Sequence, residues 1–110
     1  MSEHSADEDD ELLRAKLVTE TARIPWADLQ RFFAAGKTIH IEANQDLIDI
    51  AFITAKDDGV RLQELMTANA VHPVAGDTAR CWYEAKAEVW AVIVRPWVLV
   101  QEVESAAPAS

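Results

Sequence analysis

One cysteine, three glycines and four prolines in 110 residues leave little room for several classes of protein. A lone Cys81 cannot build an internal disulfide framework, and the amino terminus has acids where a secretory leader needs bases and an apolar stretch. Both point to a cytoplasmic location. The longest unbroken apolar run, Val89 to Val94, is far short of the roughly 20 residues of a membrane-spanning helix, so no membrane segment is expected. Gly36, Gly59 and Gly76 each stand singly in a turn context. No nucleophile elbow or phosphate-cradling loop can be assembled from them, and phosphate chemistry lacks its scaffold.

Basic residues are also missing from both ends. Residues 1–11 hold six acids and no Lys or Arg, and residues 102–110 hold Glu102 and Glu104 and no base. The formal net charge of -9 is therefore concentrated at the termini. Setting those eight acids aside leaves 11 of the 19 against all ten bases, a net of -1 between Leu12 and Gln101. An acidic tail on a near-neutral body repels phosphate backbones and favours solubility, and it can meet a basic surface on another protein. The bases are spread singly without a stripe interleaved with aromatics, which argues against nucleic-acid binding.

What is present is one domain's worth of chain. Acids at Asp7 to Glu11 precede Leu12, Leu13, Leu17 and Val18, which predicts a helix to about Ala22. A second helix is expected from Pro25 as its first residue, burying Trp26, Leu29, Phe32 and Phe33 and stopping at Gly36. Thr38 to Glu42 alternates as a half-buried strand, with Ile39 and Ile41 inward and His40 and Glu42 outward. Residues 46–56 fit either a helical stripe or a strand. Asp46 as cap and Asp49 in the first turn favour helix. Asp57-Asp58-Gly59 turns into a helix from Val60 to Asn69 with Leu62, Leu65 and Met66 inward. His72 to Gly76 reads as loop, and Asp77 as the N-cap of a helix to about Ala87 that presents Ala79, Trp82 and Tyr83.

The densest apolar mass closes the chain. Val89 to Val94 is nearly all apolar, which reads as a strand covered on both faces, and Trp97 to Val100 repeats the composition, opening a strand expected to Val103, after Pro96, a residue that cannot donate to a ladder. The expected architecture is α+β, with about five helices packed on a small sheet of about three strands. Residues 1–11 are expected as an acidic disordered tail, 12–103 as a single globular domain and 104–110 as a disordered tail. Trp97 to Val103 is the candidate edge strand for pairing with a second copy or a partner chain.

Glu20-Thr-Ala-Arg-Ile-Pro-Trp26, Phe32-Phe-Ala-Ala-Gly36, Asp46-Leu47 and Pro96-Trp-Val-Leu-Val-Gln101 together resemble a family of small bacterial proteins known as domain of unknown function 2288. The resemblance runs from about Leu12 to Gln101 and rests on several separated motifs. It implies a small stand-alone bacterial protein and brings no assigned activity, cofactor or catalytic residue.

The residues that could carry chemistry are few. His40 and Glu42, at i and i+2 on one strand face, form the best local ligand pair, with Asp46 and Asp49 following. No second histidine stands at ligand spacing, so the pair reads as a solvated polar face and no metal or other cofactor is expected. Cys81 would need His40 or His72 beside it to act as a nucleophile, and a lone cysteine next to Trp82 reads more simply as a packing residue. Arg95, near Trp90 and Trp97, could stack on indole and hold a carboxylate, or pair with Glu88 or Asp49 and cover apolar surface with its stem. With no convergent catalytic set, the chain reads as a non-catalytic protein-interaction or regulatory module. The alternative is a sensor for a small anionic ligand, or a minor enzyme, with a pocket near Arg95 and His40 and contacts from Trp97 or Trp90.

Overall fold

A five-stranded mixed sheet organises the chain in the computed structural model, which describes residues 6–103. The strands are β1 (Ala22–Pro25), β2 (Thr38–Ile41), β3 (Val71–Pro73), β4 (Glu88–Val94) and β5 (Trp97–Glu102). They lie in the order β1-β4-β5-β2-β3. All neighbouring pairs are antiparallel except β2 and β5, which run parallel with Thr38 opposite Val98 and His40 opposite Val100. The helices are α1 (Ala6–Glu20), α2 (Gln30–Ala34), α3 (Leu47–Ala55), α4 (Gly59–Thr67) and α5 (Gly76–Glu84), with a 3-10 turn at Trp26–Leu29.

The α+β class holds, and the sheet has two strands more than the sequence suggested. Both extra strands are short edges containing proline. Pro25 closes β1 opposite Glu88 instead of opening a helix. Trp26 then donates its N–H to Ala87 O at 2.9 Å, which carries the chain across before the 3-10 turn starts. A residue without an N–H suits an outer strand. Pro73 ends β3 in the same way, opposite Ile39, where the sequence read as loop.

Helices cover both faces. On one, Leu17 of α1 and Leu47, Ile50 and Ala51 of α3 pack on Ile41, Val71, Val92 and Leu99. On the other, Trp26, Leu29, Ala79 and Trp82 pack on Val89, Ala91, Val98 and Val100. β5 is consequently interior to the sheet, not an edge, and Val98, Leu99 and Val100 are buried in succession, as a strand sandwiched on both faces requires. In β4, by contrast, Trp90 and Ile93 remain exposed.

Local signals were mostly honoured. The Asp46 carboxylate accepts from the N–H groups of Ile48 and Asp49 and caps α3, satisfying donors that a helix start leaves free. Asp58 caps α4 through Arg61 N–H. Gly36 takes φ 75° after α2, the left-handed residue that ends a helix. Residues 6–11 of the stretch expected as a tail are helical, in α1; Glu8 to Glu11 lie in its first turns, where acids complement the positive end of the helix dipole, and Asp10 pairs with Lys56. Of the tails expected at residues 1–11 and 104–110, residues 1–5 and 104–110 lie outside the described residues. Met66, expected inward, is exposed; of the residues expected on one side of the next helix Ala79 and Trp82 are buried and Tyr83 is exposed, and α5 starts at Gly76 with Ala75 at its cap position and Asp77 in the first turn. No helix among the described residues is long and apolar enough to cross a membrane.

Candidate metal centre

The antiparallel register of β2 and β3 sets His40 directly opposite His72. Side chains at directly opposed positions point to the same sheet face with Cβ atoms about 5 Å apart, and here the two imidazole centroids are 4.9 Å apart at 66°. That face is not solvated as the alternation at Thr38 to Glu42 suggested. It is covered by α5 and the 3-10 turn, so His40 is half-buried against Trp82, whose ring lies edge-on at 5.2 Å. Trp82 meets Trp26 at 5.1 Å and Trp26 meets Phe33 at 5.6 Å, each in edge-to-face geometry. A ladder of rings from α2 to β3 thus fixes the imidazole plane. Each contact of this kind is worth about 0.5–1.5 kcal/mol beyond the area it buries.

Glu42 enters from the end of β2 with its backbone held on both sides. Its N–H donates to Ala70 O at 3.0 Å, and its carbonyl accepts from Gln101 Nε2 at 2.9 Å. The same Gln101 amide donates to Gln45 O at 2.8 Å, tying the loop after β2 onto β5. The Glu42 carboxylate reaches His72, with Oε2 2.5 Å from Nε2. The other ring nitrogen of His72, Nδ1, lies 3.0 Å from Pro73 O. A carbonyl only accepts, so this bond places the hydrogen on Nδ1 and leaves Nε2 as the nitrogen that meets either a proton or a metal.

The electrostatics follow from these contacts. The hydrogen bond to Glu42, aided by that to Pro73, raises the pKa of His72 above its ordinary 6.5. The same bond lowers that of Glu42. Burial lowers the pKa of His40, outweighing the opposing pull of Glu42. His40 is therefore neutral at pH 7, and its Nδ1 is buried without a hydrogen-bond partner, a cost that asks for a role.

One donor atom from each of His40, Glu42 and His72 lies within 4.8 Å of the other two. In a tetrahedral zinc site with bonds of about 2.0–2.1 Å, donor atoms stand about 3.3 Å apart. Closure around an ion needs His40 to move inward and the Glu42–His72 bond to open as its proton leaves. Two imidazoles and one carboxylate are a donor set of three-ligand zinc sites. The Nδ1 bond to Pro73 O supplies the outer hydrogen bond that such histidines use to fix their orientation.

The other residues singled out from the sequence are dispersed. Arg95 stands in the two-residue turn between β4 and β5, exposed, and lines a groove in which His40 has no part. Its expected partners are taken: Glu88 pairs with Arg23 and Asp49 with Arg14. Arg23, not Arg95, lies over the Trp90 ring. Trp97 and Trp90 are 38% and 37% exposed, while Trp26 and Trp82 are core. Cys81 is exposed on α5, not a packing residue, and neither imidazole joins it in a ligand cluster among the described residues.

His72 is the residue that sequence reasoning missed. No metal was expected because His40 lacked a second histidine at ligand spacing; strand pairing supplies it from 32 positions away. The signal was Val71-His72-Pro73, an apolar residue and a proline flanking a histidine, which is legible as a short edge strand only once its partner is known.

The profile of a family described as "Protein of unknown function (DUF2288)" matches residues 12–102. Among solved structures, the NMR solution structure of PA1075 from Pseudomonas aeruginosa is similar, with 36% sequence identity, a TM-score of 0.75, 99% of this chain covered and 100% of that one. No curated protein matches the chain. The profile spans the whole sheet, both its helical layers and all three donor residues, and the chain accordingly belongs to the DUF2288 family of unknown function.

Proposed function

We propose that this protein is a small metal-binding module that holds one divalent ion of the zinc class through His40, Glu42 and His72. The observation that carries the reading is the convergence of these three donors within 4.8 Å on two adjacent strands and the loop that follows one of them. Supporting it are the unpartnered Nδ1 of His40 and the backbone clamp on Glu42 by Ala70 and Gln101. Neutral imidazole and carboxylate suit zinc and its neighbours better than calcium or magnesium, which take oxygen donors. The ion replaces the proton shared by His72 and Glu42, so binding releases protons and weakens as pH falls.

Calorimetric titration of tag-free protein with zinc chloride tests this directly. One ion per chain is expected, with affinity reduced on the order of tenfold or more in His40→Ala and His72→Ala. Absence of binding, or binding indifferent to both substitutions, overturns the reading.

A second reading keeps the protein-interaction or regulatory role. It is favoured by the exposure of Trp90 and Trp97, since half-exposed indoles serve as interface anchors. Self-association is its simplest form, and light scattering over a wide concentration range tests it. A monomer throughout would remove the version in which two copies pair.

A further inference from the structure

Away from the histidines, the sheet has a second unfinished region. β1 covers β4 only as far as Ala22 opposite Ala91, so Val92 to Val94 have β5 on one side and no strand on the other among the described residues. Helix α1 and this uncovered stretch enclose a groove of about 570 Å³, within the ~300–1,000 Å³ range of small-molecule sites. Apart from Lys16, Glu20 and Arg95, every residue lining it is aliphatic. It contains no aromatic ring to stack a base or a planar ligand, and no neutral hydrogen-bonding side chain to read a sugar.

The lining is graded. Leu17 on one face of the sheet and Leu29 and Val98 on the other are almost fully buried at 3%, 5% and 2%, and they flank the uncovered edge of β4 as the floor. Lys16 and Arg95 are exposed, with Ile93 beside them at 53%, and they form the rim. Neither cation makes an ion pair among the described residues, whereas Arg14, Arg23 and Lys56 each have one. Glu20 lies one helical turn from Lys16 toward the start of β1, and the rim still carries two positive charges against one negative.

We infer that this groove binds a single-chain amphiphile with an anionic head, its alkyl chain lying on the aliphatic floor and its carboxylate or phosphate held by Lys16 and Arg95. The floor supplies affinity in proportion to the apolar area removed from water, and the rim chooses the sign of the head. Arginine offers a planar fork to either oxyanion and lysine a point charge. The site is separate from the histidine cluster and stands or falls independently of metal binding.

Methyl NMR spectra of the full chain, titrated with decanoate, decyl phosphate, decanol and decyltrimethylammonium below their micelle thresholds, test the inference. Decanoate or decyl phosphate should move the methyls of Leu17, Ile93 and Val98 saturably, and the tighter of the two identifies the head. Decanol should bind about tenfold more weakly than that anion. Arg95→Glu, in an exposed turn, should lower the anion's affinity by about tenfold or more and leave decanol unchanged. Lys16→Ala gives a second, milder variant with the same direction. The inference is overturned if no saturable shift appears, if the shifts fall outside the groove, if decanol or the cation binds as well as the anions, or if both variants bind as the wild type does.

Discussion

The two faces of the sheet are built to different rules. The buried residues of the face under α1 and α3 are all aliphatic, with Leu17, Leu47 and Ile50 on Ile41, Val92 and Leu99 and the partly buried Phe52 packed at their margin, and its charges stay at the outside as Arg14–Asp49 and Lys56–Asp10 pairs. The face under α5 is aromatic and admits polar atoms. Trp26 Nε1 and His40 Nδ1 are both buried there without hydrogen-bond partners. An unmade bond of that kind costs about 1–3 kcal/mol. A fold spends stability in this way where a site needs rigid, dry support, and the ladder of rings behind His40 supplies it. The aliphatic face provides cohesion, and the aromatic face provides position.

This difference is best attacked from its centre outward. Trp82→Ala removes the ring that touches both Trp26 and His40 and is expected to cost about 3–5 kcal/mol in denaturant unfolding. Zinc affinity should fall with it, because His40 loses its backing. On the opposite face Ile50→Val should cost only about 0.5–1.5 kcal/mol and leave zinc affinity unchanged. Equal damage to binding from both substitutions would erase the distinction. Next in size, zinc at a hundredfold excess over its dissociation constant should raise wild-type stability by about 2.7 kcal/mol, with little effect on His72→Ala. Removing the α3 cap by Asp46→Ala should cost about 1 kcal/mol, seen as a lower thermal midpoint.

The smallest expected effect is in pH, where the two histidines should part company. His72, raised above 6.5, contributes stability that is fully present below 6.5 and lost as pH rises through its folded pKa. His40, lowered below 6.5, contributes stability that is present above 6.5 and lost as pH falls through its folded pKa. Glu42, lowered below 4.5, contributes stability that is present above 4.5 and lost as pH falls through its folded pKa. NMR titration of the metal-free chain should show His72 protonating at higher pH than His40, and Glu42→Gln should bring His72 down toward 6.5. A reversed order of titration would contradict the assigned Glu42–His72 bond.

The parts readable from sequence were those with local causes. Asp46 announced its helix by capping, Asp57-Asp58-Gly59 the turn before the next, Gly36 its helix end, and Thr38 to Glu42 its strand by alternation. The class and both closing strands followed from the valine-rich run. What escaped reading was decided by pairing between distant segments. Nothing within Trp97 to Val103 reveals that β2 returns in parallel alongside it, which moves β5 from edge to interior. β1 and β3 are four and three residues long and end in proline, so neither has room to display a period. The site shared that fate. His40 and Glu42 were visible as a pair, but the third donor depended on β3 being a strand, and the exposure of the supposed outward face depended on a helix, α5, whose docking no local pattern specifies.

Among the described residues β3 pairs with β2 alone, the arrangement from which local opening of a folded protein usually begins. Amides at Val71 and His72 should therefore exchange with deuterium sooner than those of β5. An ion bound by His72 together with His40 and Glu42 would act as a rivet across that seam. Slowed exchange confined to β2 and β3 on adding zinc would be its signature, and would make the rim of the sheet a reporter of metal supply.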